Sequence, residues 1–207
     1  MNRPTPRRKD TRERIQAVAL QAFSERGYDK TSLRGITDQL GITKAALYYY
    51  FQAKEDILAS LFDDLYRRLD ELIDWGRRQP RTNEAKQELL RRYSRTLVHA
   101  APILSLAQEN QATLRETTVG QRLQDRVSAL AQLVVEPDAP LIENVRGITA
   151  LLTVYFGPIA TQDLPGDPEE KQRAVLDVAA GLLAQGPGGG PPPGPDAAPD
   201  GRRHHDD

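Results

Sequence analysis

The sequence has 207 residues, a formal net charge of −1 and no cysteine. The missing cysteine excludes disulfide scaffolds, thiolate zinc sites and cysteine nucleophiles, and it is compatible with a reducing cytoplasm. No apolar run is long enough to span a bilayer or to form the core of a signal peptide. We therefore expect a cytoplasmic protein with one or two helical cores and no membrane contact.

Charge is distributed unevenly along the chain. Residues 1–54 hold eleven Lys and Arg against five Asp and Glu, whereas the remainder is acidic. Basic side chains concentrated in one segment can displace the counterions that surround nucleic-acid phosphates. A solvated surface with a basic arm explains the same charges, and charge alone does not separate the two interpretations.

Three short helices are predicted near the N-terminus. Apolar residues recur at three- and four-residue spacing over residues 11–26, 33–40 and 44–51. Gly27 and Gly41 are predicted to end the first two helices, because glycine readily adopts the left-handed backbone that closes a helix. The turn before the third helix is so short that the second and third helices must cross at an angle, which is the spacing of a helix-turn-helix.

Helical periodicity continues through the rest of the chain up to its last segment. A long helix is predicted to begin at Lys54 and to end before Pro80. We expect Pro158 to end or kink the helix that precedes it. No stretch alternates with the period of a strand, so the predicted fold is all-α. The further predicted helices are 83–100, 103–111, 117–135, 141–157 and 168–183.

The third helix has two chemically different faces. At about 100° per residue, Leu47 and Phe51 share one face, with Tyr50 beside them, and this face suits packing on the first two helices. The opposite face combines a cation, a small residue and two phenols that can donate hydrogen bonds to phosphate. That face, which we predict to contact DNA, consists of Lys44, Ala45, Tyr48 and Tyr49.

Four neighbouring side chains extend the predicted surface. Thr31, Thr43 and Lys54 lie at predicted helix ends, where side chains or backbone amides can reach a phosphate. Arg34, at the start of the second helix, could reach a base edge or be an ordinary solvated arginine. The candidate DNA-binding residues are thus Thr31, Arg34, Thr43, Lys44, Ala45, Tyr48, Tyr49 and Lys54.

The segments Thr31–Arg34 and Gly41–Phe51, followed by Lys54 and Glu55, resemble the TetR family of repressors. The resemblance covers only the N-terminal part of the chain. It implies a homodimer that binds the palindromic half-sites of a double-stranded operator in the major groove. Three positions depart from the family pattern and leave open which bases are read: Gly35, Thr37 and Tyr49.

The resemblance also implies a helical regulatory domain with a pocket for a small organic effector and a dimer interface on the last two helices. The candidate pocket residues are Phe62, Tyr66, Tyr93, Leu97, His99, Leu104 and Tyr155. The candidate interface residues are Leu151, Leu152, Tyr155, Phe156, Val175, Leu176, Ala179, Leu182 and Leu183. From spacing alone, an ordinary intramolecular core explains the interface set equally well, and for the pocket residues it is the more frequent explanation.

Four segments are therefore predicted. They are a basic flexible arm (1–10), a helix-turn-helix DNA-binding domain (11–53), a helical regulatory, ligand-binding and dimerisation domain (54–185), and a disordered tail rich in Gly and Pro (186–207). In the tail, His204 and His205 are interpreted as mobile residues, not as metal ligands.

The predicted function is that of a ligand-responsive homodimeric regulator, with repression as the first interpretation and release from the operator by a small organic molecule. Activation of transcription is an alternative, as is an interaction protein whose helix-turn-helix no longer binds DNA. An enzyme, a cofactor and a metal are not expected, because the sequence has no glycine-rich phosphate loop after a strand and no metal-ligand spacing.

Overall fold

The computed structural model describes residues 6–184, and within this range it contains ten α-helices and no strand. The predicted all-α fold is confirmed there, whereas the predicted tail and the first half of the predicted arm lie outside the described residues. None of the described helices has the length and apolar composition that crossing a bilayer requires. The helices are α1 (Pro6–Arg26), α2 (Leu33–Leu40), α3 (Lys44–Tyr48), α4 (Lys54–Arg77), α5 (Asn83–His99), α6 (Ala101–Glu109), α7 (Gln111–Arg115), α8 (Thr118–Val134), α9 (Leu141–Ala160) and α10 (Pro168–Ala184).

Local capping interactions define the limits of the first helices. The Ser32 hydroxyl accepts a hydrogen bond of 3.1 Å from the N–H of Gly35 and so begins α2. Gly27 and Gly41 have φ values of +86° and +64°, in the left-handed region that few other residues adopt. Both predicted helix ends are therefore confirmed.

Several helix boundaries differ from the prediction. The third helix, predicted over 44–51, ends at Tyr48. Helix α1 begins at Pro6, inside the segment that we predicted as a flexible arm. Proline suits the first turn of a helix, where its missing N–H would have no partner in any case, and no breaker separates it from residue 11. The segment predicted as one helix over 103–111 is divided at Asn110, which separates α6 from a short α7.

Pro158 does not end its helix. Helix α9 continues through it to Ala160, so the predicted end at residue 157 is wrong. The proline lies in the last turn, where its missing N–H removes only one hydrogen bond of the helix. The following N–H of Thr161 still donates to the carbonyl of Gly157 at 3.0 Å, which closes the turn.

Helix α4 connects the N-terminal helices to the rest of the molecule. It packs against α1 on one side and against α5 and α8 further along. The amide of Gln16 on α1 donates to the Ser60 hydroxyl on α4 at 2.9 Å. Apolar α4 side chains from Ile57 to Ile73 are buried in a core that is continuous from α1 to α10. A displacement of α4 would therefore move both α1 and the helices α5 and α8 that pack on it.

Helices α9 and α10 pack against each other along their length. Close approach depends on Gly157, because a Cβ at that position would overlap with the methyl groups of Val175. Val175, Ala179 and Leu183 lie four residues apart and are all buried in this contact.

The contact between Gly157 and Val175 can be tested by a double-mutant cycle. Gly157→Ala should destabilise the fold by about 1–3 kcal/mol, because the added methyl forces the helices apart. In a Val175→Ala background the same change should cost much less, since the overlapping methyl groups are gone. Thermal or urea unfolding of the four proteins measures both values. Equal costs in the two backgrounds would contradict the packing described here.

Candidate nucleic-acid interface

Residues 41–43 form the turn between α2 and α3. The Thr43 hydroxyl accepts a hydrogen bond from the N–H of Ala46 at 3.2 Å and so caps α3. Before it, the N–H of Ile42 donates to the carbonyl of Thr37 at 3.2 Å, which anchors the turn to α2. These two bonds fix the crossing of the helices.

The inner face of α3 is held by apolar packing. Leu47 is completely buried and Phe51, just after the helix, is nearly so. The Arg12 guanidinium lies 5.2 Å from the centroid of the Phe51 ring. Tyr50 is half-buried and packs against the same core. Because these residues point inward, the other side of the helix must face solvent.

The outer face of α3 carries Thr43, Lys44, Ala45 and Tyr49, which are all exposed. Tyr49 is the most prominent, with 60% of its surface accessible. The ammonium of Lys44 lies 5.5 Å from the centroid of the Tyr48 ring, and Tyr48 itself is half-buried. The structure thus brings most of the predicted DNA-contacting side chains onto one open surface.

Arg34 lies on α2 and is exposed to solvent. Its side chain is 88% exposed, and its Nε lies 3.7 Å from the carboxylate of Asp38 one turn later. An exposed pair of this kind contributes little to stability and leaves the guanidinium available to another partner.

Thr31 is a correction to the sequence prediction. Its side chain is buried, and its hydroxyl donates to the carbonyls of Ala22 at 3.0 Å and Gly27 at 2.9 Å. The residue closes the turn between α1 and α2, so its hydroxyl is not presented to a nucleic acid. Sequence patterning predicted that Thr31 lies at a helix end but not the direction of its side chain.

Lys54 is a second correction. Its ammonium donates to the carbonyls of Tyr28 at 2.8 Å and Thr31 at 3.1 Å, and lies 4.1 Å from the centroid of the Tyr28 ring. The side chain therefore fastens the start of α4 to the turn after α1. The Tyr28 ring beneath it is buried, and this burial raises the pKa of the phenol.

The same turn also contacts α7 and the residue before it, which sequence reasoning missed. The N–H of Tyr28 donates to the Asn110 side-chain oxygen at 2.9 Å, and the Thr113 hydroxyl donates to the Asp29 carboxylate at 2.7 Å. No spacing rule could have found these bonds, because more than eighty residues separate the partners.

A cavity of about 620 Å³ lies among α4, α5, α6, α7, α8 and α9. Five of the seven predicted pocket residues line it: Phe62, Tyr93, Leu97, Leu104 and Tyr155. Its walls are mainly leucine, isoleucine, valine and aromatic side chains, and its volume is typical of small-molecule sites.

The two remaining pocket predictions are wrong. The Tyr66 ring is buried beside α8, where its hydroxyl donates to the carbonyl of Val119 at 2.6 Å and burial raises its pKa to about 12. The guanidinium groups of Arg122 and Arg126 lie 4.6 and 4.4 Å from its ring centroid. His99 points to solvent at the end of α5, within 2.7 Å of the Arg95 carbonyl.

Some of the predicted interface residues are buried within the chain, whereas others are exposed. Leu151, Val175, Ala179 and Leu183 are buried within the chain, so for these four the prediction is wrong. Tyr155, Leu176 and Leu182 are half-buried against the core. Leu152 and Phe156 are exposed, and they belong to an apolar stripe at helical spacing along α9. This α9 stripe consists of Leu141, Val145, Ile148, Leu152, Phe156 and Ile159.

Comparison with known proteins supports the same architecture. A sequence profile described as bacterial regulatory proteins, tetR family, matches residues 15–61. A probable HTH-type transcriptional regulator from Pseudomonas putida is 32% identical over 80 residues, 39% of this chain and 35% of the relative. The chain spans about a third of the length of the first curated relatives that it matches.

Two further similarities extend beyond the N-terminal helices. An HTH-type transcriptional repressor from Brucella suis is 25% identical over 192 residues, which cover 91% of this chain and 82% of the relative. A solved member of the TetR transcriptional regulator family from Streptomyces coelicolor superposes with a TM-score of 0.60 at 21% identity, over 82% of this chain and 89% of its own. The N-terminal helices of this chain are therefore similar to those of TetR-family regulators, and the chain shares an all-helical fold with a solved member of that family.

Proposed function

We propose that this chain is a DNA-binding transcriptional regulator that acts as a homodimer. The observation that carries the proposal is the outer face of α3, where Thr43, Lys44, Ala45 and Tyr49 are exposed opposite the buried Leu47. A helix held in this way can enter the major groove, which is wide enough to admit it.

The side chains on the outer face of α3 can make different kinds of contact with DNA. Ala45 is small enough for the helix to approach base edges closely, while Lys44 can contact a guanine or a phosphate. The Tyr49 phenol can donate to a phosphate oxygen. Arg34 can contact the adjoining backbone or a base, because its weak surface ion pair releases it easily.

Two observations support dimerisation: the outer face of α3 is small, and the α9 stripe is exposed. One helix as short as α3 reads few base pairs, whereas a two-fold symmetric dimer reads two half-sites. Exposed apolar side chains on adjacent helices, the α9 stripe and Val178 on α10, offer a protein partner apolar contacts. Four of the stripe residues also line the cavity: Ile148, Leu152, Phe156 and Ile159. A second copy of this chain would cover the α9 stripe and place two α3 helices on the same side.

Ligand response is proposed for the cavity of about 620 Å³. Gln111 and Leu114 line it, and the same short segment holds Thr113, which bonds to Asp29 beside the DNA-binding helices. A ligand that favours a different position of α7 would thereby shift the orientation of α3. The similarity to the Brucella suis repressor favours repression. Ligand binding would then release the operator in the cytoplasm.

Removal of the Lys44 charge should weaken DNA binding. Lys44→Ala should lower the affinity for DNA upstream of the chain's own gene by about tenfold and reduce the dependence of log Kd on log salt by about one unit. Fluorescence anisotropy at several salt concentrations measures both. Arg91→Ala, an equal loss of charge on the exposed face of α5, is the control and should change neither. Equal affinity of the two variants would contradict the proposed surface.

A charge placed on the apolar surface should dissociate the dimer. Val145→Glu and Val178→Glu, at exposed positions outside the cavity lining, should convert the protein to a folded monomer, because an unpaired carboxylate is costly to bury. Light scattering after gel filtration gives the mass. Val98→Glu, at a similarly exposed position on α5, should remain dimeric. A dimer in all three variants would exclude this surface as the interface.

A further inference from the structure

The described side chains that line the cavity include a positive charge and no negative charge. Of the side chains that line it, Arg115 is the one that carries a full charge, and no Asp or Glu of the described residues contributes to the wall. The other polar lining side chains are neutral: Gln108, Gln111, Gln124, Tyr93 and Tyr155. The cavity therefore offers a counter-charge to an anion and none to a cation.

Arg115 stands at the open side of the cavity. It is exposed together with Gln111 on α7 and Gln124 on α8, and these three mark the polar rim. Within residues 6–184 its guanidinium takes part in no ion pair or hydrogen bond, whereas many other arginines in this range are paired. A guanidinium beside a low-dielectric wall attracts an anionic group more strongly than one on an open surface.

Deeper in the cavity, Tyr93 supplies an unmatched polar group. Its side chain is only 5% exposed and lines the cavity, and its hydroxyl has no hydrogen-bond partner among the described residues. Burial and the neighbouring Tyr155 both raise the pKa of Tyr93, so the phenol stays neutral at physiological pH. Because Tyr93 lines the cavity, its hydroxyl can form a hydrogen bond with a polar group of a ligand there.

We infer that the effector is an amphipathic organic anion. Its apolar body lies against the leucine and aromatic walls, and its acidic head group lies at the rim beside Arg115, Gln111 and Gln124. An ammonium compound of the same size would be desolvated without a counter-charge. The inference rests on the proposed ligand response, since it names the class of molecule that the same cavity accepts.

Three probes with the same ten-carbon tail test the role of the head group: decanoate, decanol and decyltrimethylammonium. Isothermal titration of the full-length protein, each probe below its micelle concentration and without DNA, should give decanoate at least about tenfold higher affinity than the cation. Arg115→Gln should weaken decanoate about fivefold and leave decanol unchanged. Arg91→Gln, the matched loss of charge outside the cavity, should alter neither.

Equal affinity for decanoate and the cation, or an unchanged decanoate affinity in Arg115→Gln, would overturn the inference. Failure of all three probes to bind would overturn it as well, because the cavity would then not accept an amphipathic chain. No DNA is present in the titration, so these outcomes are distinct from a failure of the proposed operator binding. A lost preference for the anion would leave the proposed action on DNA intact.

Discussion

Burial of Leu47 is the constraint on which the candidate interface depends. Helix α3 has only five residues, too few to be stable as a helix by its own hydrogen bonds. It persists because Leu47, with Phe51 just beyond, is inserted into the core formed by α1, α2 and the start of α4. That insertion fixes the rotation of the helix, and helical periodicity then requires Lys44, Ala45 and Tyr49 to face outward.

The turn after α1 is the second element of this arrangement. Lys54 binds two carbonyls of the turn, and the hydroxyl of Thr31 binds two more just before it. Two hydrogen bonds attach this turn to α7 and the residue before it: the Tyr28 N–H donates to Asn110, and the Thr113 hydroxyl donates to Asp29. A displacement of α6 or α7 would therefore be transmitted through these hydrogen bonds to the turn that supports α3.

Sequence patterns predicted the elements well because local chemistry determines them. Gly41 and the hydroxyl caps at Ser32 and Thr43 each act within a few residues, so their effect is visible in the sequence. The orientation of Leu47 follows from helical spacing in the same way. Lys54 could not be assigned like this, because its partners lie more than twenty residues away and a lysine at a helix start suits a phosphate equally well.

The apolar faces of α10 show a different limit of sequence reasoning. Val175 and Ala179 point into the chain, whereas Val178 points to solvent, yet all three belong to one apolar pattern. Periodicity identifies a face that must be buried but not the partner that buries it. The position of α9 determines which side is covered, because Gly157 lies against Val175 while Val178 remains exposed.

Methylation protection of the operator tests the central claim most directly, since dimethyl sulfate reports the two grooves separately. On the DNA upstream of the chain's own gene, bound protein should protect guanine N7 in the major groove in two clusters, one helical turn or a multiple of it apart. Adenine N3 in the minor groove should remain reactive beneath the recognition helices. Protection confined to the minor groove, or in a single cluster, would contradict a dimer that reads DNA through the outer face of α3.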